Sequence, residues 1–82
     1  MNVAIENRKL LIIEDALTQN NYFDCDVVQD YVNKLQSEDN LEQMIYRAIH
    51  LKDSIIYRGG NIKNIKTLID ELSSIHIKNL IN

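Results

Sequence analysis

Two histidines, one cysteine and a run of aspartates are the residues of this 82-residue chain whose chemistry could support catalysis or metal binding. His50 and His76 lie far apart in the sequence, and no Ser, Cys or carboxylate forms a recognisable nucleophile-and-base set with either of them. Cys25 lies between Asp24 and Asp26, and their negative charge disfavours the thiolate that nucleophilic catalysis requires. The sequence therefore predicts a protein that is not an enzyme.

The aspartates superficially resemble the start of an oxygen-ligand run for a cation. The calcium-binding loop needs a glycine at its sixth position and an acid at its end, whereas Val27 and Val28 occupy the wrong places here. Helix capping is the simpler explanation, because aspartate side chains accept hydrogen bonds from the free N–H groups of a helix start. We expect no metal and no cofactor, and interpret Asp24, Asp26 and Asp30 as an acidic face that steers a basic partner.

The segment from Arg58 to Lys66 places three cations around a glycine pair and a predicted helix start. Free N–H groups at a helix start carry partial positive charge, so added lysines favour an anion there, either phosphate or carboxylate. The simpler interpretation is a tight Gly–Gly loop between solvated lysines. A helix-turn-helix is the DNA-binding alternative. Its candidate contact residues are Lys63, Asn64, Lys66 and Thr67.

Charge is distributed unevenly along the chain. Residues 1–42 carry three basic and nine acidic side chains, whereas residues 43–82 carry six basic and three acidic ones, and the whole chain has a net charge of −3. Nucleic-acid affinity depends on neutralising several phosphates, so an acidic chain is a weak DNA-binding candidate. DNA binding is therefore our second hypothesis, and dimerisation, which doubles the basic segment, would favour it.

The aromatic residues favour protein recognition. Tyr46 and Tyr57 lie off the main apolar stripe of the third predicted helix, as do Ile49 and Ile56, which gives this helix a second apolar face. Tyrosine is enriched at protein interfaces. Burial of a central helix on two sides would explain the same pattern. We predict partner-binding residues at Tyr46, Ile49, Tyr57 and Arg58.

Apolar residues recur at intervals of three and four along the whole chain, which predicts four amphipathic helices and an all-α fold. The helices should form a small bundle; the alternative is a three-helix core with a fourth helix completed by dimerisation. The residues expected to face inward are Val3, Ile5, Leu10, Ile12, Ile13, Ala16 and Leu17 in helix one; Val28, Tyr31, Val32 and Leu35 in helix two; Leu41, Met44, Ile45, Ala48, Leu51 (or Lys52) and Ile55 in helix three; and Ile62, Ile65, Leu68, Ile69, Leu72, Ile75 and Leu80 in helix four.

Polar and glycine residues predict the helix boundaries. The break at residues 19–21 ends helix one, and helix two should cover residues 25–36. Asp39 and Glu42 form a capping-box pattern at the start of helix three. Gly59 suits the left-handed position that ends this helix, and Asn61 caps helix four.

Size and composition indicate one small domain covering residues 1–82. The longest purely apolar run, Leu10–Ile13, is far too short to span a bilayer, and no signal segment is evident. A lone cysteine agrees with a reducing compartment, so we expect a cytoplasmic protein with no membrane association. Heavy use of Ile, Asn and Lys is typical of bacterial or phage proteins.

Two short stretches resemble parts of known families. Ala16, Leu17, Tyr22 and residues 24–32 resemble the sigma-binding helices of flagellar anti-sigma factors. The junction at residues 59–62 is similar to the hairpin of small bacterial biofilm and acid-stress connector proteins. Neither stretch transfers a residue's role or a family membership to this chain.

The hypothesis that best fits these observations is a small non-enzymatic protein-binding regulator. It would act as an adaptor, inhibitor or chaperone-like module by occluding or bridging another protein, and a homodimer is expected because a small core gains from self-association. The alternative is a dimeric DNA-binding regulator that uses residues 58–67.

Overall fold

The protein is an all-α bundle of four helices. The computed structural model describes residues 3–19 and 25–81, and contains no strand within those ranges. The helices are α1 (Val3–Gln19), α2 (Cys25–Gln36), α3 (Leu41–Tyr57) and α4 (Lys63–Ile81). The predicted four-helix architecture is confirmed. Residues 20–21 of the break predicted at 19–21 lie outside the described residues, and so does Asp24.

The helices form a closed ring in which α1 packs against α2, α2 against α3, α3 against α4 and α4 against α1, and α1 also contacts α3 across the ring. Two contacts set the direction of this last pair: Arg8 Nε lies 2.7 Å from Glu71 Oε2, and Asn64 Nδ2 lies 3.2 Å from Asp15 Oδ1. The later residue of α1, Asp15, contacts the earlier residue of α4, Asn64, so the two helices are antiparallel. The fourth helix thus completes the bundle within one chain, without a second copy.

One apolar core runs through the bundle and draws residues from every helix. Its buried members are Ile5, Ile12, Ala16, Val28, Val32, Leu35, Met44, Ala48, Leu51, Ile55, Ile65, Ile69 and Leu72. The inward stripes predicted for α2 and α3 are confirmed, with Leu51 buried in preference to Lys52. Buried methyl and methylene groups contribute about 0.8 kcal/mol each, so this shared core is the main source of stability.

The prediction for α1 was partly wrong. Val3, Leu10 and Leu17 were expected to face inward, but all three are exposed. The buried stripe instead contains Ile5, Lys9, Ile12 and Ala16. These four residues are four, three and four positions apart, which places them on one face of a helix. Val3, Leu10 and Leu17 are seven positions apart and form another helical face on a different side of α1.

Lys9 replaces an apolar residue in this stripe. It is only 2% exposed, and its ammonium donates to Gln36 O at 3.0 Å and Glu38 O at 3.2 Å. Glu6 Oε1 lies 3.2 Å from the same nitrogen. The three N–H donors of an ammonium therefore match three acceptors. Two of them are carbonyls at and after the end of α2, where the helix dipole favours positive charge.

The predicted burial of Leu80 was also wrong, because the end of α4 extends past the bundle. Leu80 is 73% exposed, and Ile77 and Ile81 are exposed beside it. The antiparallel register that pairs Glu71 with Arg8 brings the start of α1 level with about residue 76 of α4. Beyond that point α1 no longer covers the last turn of α4.

Helix α3 begins one residue later than the capping-box pattern predicted. Its N-cap is Asn40, whose side chain accepts a hydrogen bond from the Gln43 N–H at 3.0 Å, so the Asp39 assignment was wrong. Glu38 Oε1 accepts from the Asn40 N–H at 3.3 Å and supplies the return bond that a capping box would take from within the helix.

The end of α3 agrees with the prediction. Gly59 has a φ of +80°, a left-handed conformation that strains residues with a side chain. The Gly60 N–H donates to Ile55 O and the Gly59 N–H to Ile56 O, each at 2.9 Å, which is the hydrogen-bond pattern of a Schellman motif. Asn61 Oδ1 then accepts from the Lys63 N–H at 2.9 Å and satisfies one free donor of α4. No helix within the described residues is long and apolar enough to cross a bilayer.

Candidate protein-binding surfaces

The outward side of α3 carries exposed apolar and aromatic side chains. Tyr57 is 88% exposed, Tyr46 is 58% exposed and Ile56 is 49% exposed, while Ile49 is half-buried and packs against the edge of the core. Residues 46 and 57 are separated by three helical turns, about 16 Å along the axis, and therefore point in nearly the same direction. We call Tyr46, Ile49, Ile56 and Tyr57 the α3 surface.

A second aromatic ring supports one end of this surface. The Tyr46 and His50 rings lie 4.4 Å apart between centroids at an interplanar angle of 53°, a tilted packing that holds Tyr46 in place from one side. His50 is thus a surface histidine in an aromatic pair. Among the described residues, no group of three or more His, Cys, Asp or Glu side chains is placed to hold a metal ion.

Arg58 is separated from the predicted partner-binding group. Its guanidinium donates to Ser54 Oγ at 3.3 Å, and its backbone N–H caps the end of α3. Arg58 lies about 160° around the helix axis from Ile56, so it falls outside the arc between Ile56 and Tyr57 that holds the other residues. The structure brings Tyr46, Ile49 and Tyr57 onto one side of α3, joined by Ile56, and leaves Arg58 beside them.

The residues proposed for DNA contact, at positions 63–67, differ in whether they contact α1. Lys63 and Lys66 are exposed and take part in none of the ion pairs formed among the described residues. Asn64 instead donates to Asp15 on α1, and Thr67 lies next to it on the same side of α4. All four residues proposed as a DNA-contacting set are exposed, but only Lys63 and Lys66 supply positive charge.

The acidic face is smaller than the sequence indicated. Asp30 forms an ion pair with Lys34 at 3.0 Å, between positions four residues apart on α2. Lys34 also lies 5.8 Å from the centre of the Tyr31 ring. Asp26 is exposed in the first turn of α2. Local pairing therefore removes part of the negative charge that was expected to steer a partner.

A groove between α1 and α4 was missed by sequence reasoning. It is an open depression of about 420 Å³, lined by Leu11, Glu14, Asp15, Thr18, Asn64, Thr67 and Leu68. The residue types alone gave no signal, because the groove forms only when the antiparallel helices bring positions 15 and 64 together.

Comparison with known proteins gives no functional assignment. No family model matches the chain, and no curated protein or solved structure resembles it at a significant level. The two short resemblances noted in the sequence therefore remain limited to the stretches that carry them, and residue chemistry and geometry are the basis for assigning a function.

Proposed function

We propose that this protein is a small non-enzymatic regulator that binds another protein through the α3 surface. The observation that carries the proposal is the exposure of Tyr57, Tyr46 and Ile56 on one side of a helix whose other side is buried in the core. A large aromatic side chain buries about 150–250 Å² when covered, and tyrosine is a frequent hot-spot residue at interfaces.

An interface gains most of its affinity from a few side chains. Covering Tyr57 and Ile56 would stabilise a complex by about 1.5–3 kcal/mol for each side chain, before the cost of association. Tyr46 adds a ring that His50 already orients, so less conformational freedom is lost when a partner covers it. We infer that occlusion or bridging of the partner is the mode of action, in a reducing cytoplasm that suits the single cysteine.

Self-association belongs to the same proposal. The last turns of α4 expose Ile77, Leu80 and Ile81, and apolar side chains grouped in this way are typical of interfaces. A homodimer through the α4 end would leave the α3 surface partly free.

A dimeric DNA-binding regulator is the second candidate. Lys63 and Lys66 favour it, since both are exposed and neither joins an ion pair within the described part of the chain. The hydrogen bond from Asn64 to Asp15 weighs against it, because a carboxylate beside the proposed reading residues would repel phosphate.

Quantitative affinity capture from an extract of the source organism tests the main proposal. We expect the wild-type protein to retain a specific partner. Tyr46→Ser/Tyr57→Ser should bind that partner with at least about tenfold lower affinity, which corresponds to about 1.4 kcal/mol. Gln29→Ser/Asn33→Ser, on the exposed side of α2, is the matched control. Equal capture by the wild-type protein and the tyrosine variant would contradict the proposal.

Titration with random-sequence duplex DNA separates the two candidates. The electrostatic contribution to DNA binding is strongest at low salt. We expect no measurable affinity even there. Salt-dependent binding that Lys63→Gln/Lys66→Gln abolishes would instead support the DNA-binding regulator.

A further inference from the structure

We propose that the groove between α1 and α4 binds an amphipathic helix of a partner protein whose apolar stripe is flanked by lysine or arginine. This second surface shares no residue with the α3 surface and does not depend on it, although one wall of the groove, α4, packs against α3.

The shape of the groove suits a helix. Two antiparallel helices form its walls, Leu11 is 50% exposed within it, and Leu68 packs against the core at its base. Leu10 and Leu17 extend the exposed apolar surface of α1 beyond the groove. An amphipathic helix places apolar side chains three and four residues apart, which is the spacing that such a groove between helices accepts.

The charges on the groove specify the partner. Glu14 is exposed and takes part in no ion pair among the described residues, and the hydrogen bond of Asp15 is with the neutral amide of Asn64. The two bases of α1 do not neutralise these acids, because Lys9 is buried with Glu6 and Arg8 pairs with Glu71 at 2.7 Å. Two adjacent carboxylates at the rim favour cationic flanks on a helix that docks there.

The same charges disfavour other occupants. Phosphate groups of a nucleic acid would meet Glu14 and Asp15. A second copy of this chain is a poor match, since its exposed apolar side chains at the end of α4 have only Lys78 between them, and Ile56 and Tyr57 on α3 lie between Asp53 and Arg58. A partner helix with basic residues on both flanks satisfies the apolar and the charged parts of the groove together.

Two designed peptides provide the probe. Each is an amphipathic helix of about five turns with leucine along one stripe; one carries lysine on both flanks, and the other carries glutamate at the same positions. We measure fluorescence anisotropy at about 150 mM salt, which screens non-specific attraction between distant charges. The lysine peptide should bind the wild-type protein, and the glutamate peptide should not.

The variant Glu14→Lys locates the site. It should weaken the lysine peptide about tenfold, whereas the matched charge reversal Glu42→Lys, in the first turn of α3, should leave affinity within about twofold. Both residues are exposed, so the fold is retained, and a thermal melt checks this. Amide chemical-shift changes on peptide binding should centre on Leu11, Thr67 and Leu68, and Tyr46→Ser/Tyr57→Ser should bind the peptide normally.

Four results would overturn the proposal. These are equal binding of both peptides, equal weakening by the two charge reversals, shift changes centred on the α3 surface, and a wild-type oligomer that Glu14→Lys converts to monomer. The last result would assign the groove to a second copy of the chain. The tyrosine variant is tested with the same peptide. Peptide binding that depends on Glu14 supports the groove, and partner capture that depends on the two tyrosines supports the α3 surface, so either proposal can fail without the other.

Discussion

At the scale of single residues, Lys9 is the side chain whose role most exceeds what its type suggests. A lysine is almost never fully buried unless it is paired, and here three acceptors surround its ammonium. It connects α1 to the end of α2 and to the link that leads into α3. Its position thus fixes where α1 lies in the bundle, and through α1 it positions one wall of the groove.

Lys9→Met should destabilise the fold by about 2–4 kcal/mol, because methionine fills the space of the lysine stem but leaves two partly buried carbonyls, Gln36 O and Glu38 O, without their charged donor. Urea denaturation followed by circular dichroism measures this change. Lys34→Met, in an exposed pair with Asp30, should change stability by less than about 1 kcal/mol and serves as the control. Equal effects of the two changes would show that the buried contacts of Lys9 contribute no more than a surface pair.

At the scale of elements, the caps decide where helices start and end. Asn40 and Asp39 are adjacent, and both residue types are good caps, so sequence alone does not distinguish them. The structure assigns the cap to Asn40 through its bond with the Gln43 N–H. Glu38 supports this start by accepting from the Asn40 N–H and by pairing with Arg47 at 3.4 Å.

Asn40→Ala should therefore cost about 1 kcal/mol of stability through loss of the cap, whereas Asp39→Ala should cost less than about 0.5 kcal/mol. Thermal and urea unfolding of the two single variants measure the difference. A larger loss for Asp39→Ala would reverse the assignment and move the start of α3 by one residue.

The sequence predicted most of the fold and only part of the candidate surfaces, for a physical reason that differs between elements. In α2 and α3 the apolar residues fall on one side each, so periodicity identifies the core. In α1 two stripes with helical spacing compete, and the buried one includes Lys9, whose acceptors come from α2 and the link after it. The groove depends on the register between α1 and α4, which is a tertiary contact with no local signature.

At the scale of the whole molecule, the two candidate surfaces share no residue. The α3 surface lies on the outward side of α3, whereas the groove lies between α1 and α4, and α4 also packs against α3. Two surfaces without a shared residue would allow bridging as well as occlusion. The exposed end of α4, at residues 77–81, includes no residue of either surface and is the one assigned to self-association.

Sedimentation equilibrium of Leu80→Ser/Ile81→Ser checks that assignment. We expect the wild-type protein to dimerise with increasing concentration and the variant to remain monomeric, while its melting temperature changes little because both residues are exposed. Thr67→Ser, in the groove, is the control and should dimerise like the wild type. A wild-type protein that is monomeric at every concentration would contradict the proposed homodimer.

The binding role of the α3 surface is the central claim, and site-specific photocrosslinking in living cells of the source organism tests it most directly. A benzophenone amino acid replaces Tyr57, whose side chain is 88% exposed, and in a parallel strain replaces Asn33 on the polar side of α2. If the α3 surface binds a partner, position 57 should give a discrete crosslinked protein that is absent at position 33. No adduct at position 57, or the same adducts at both positions, would contradict it.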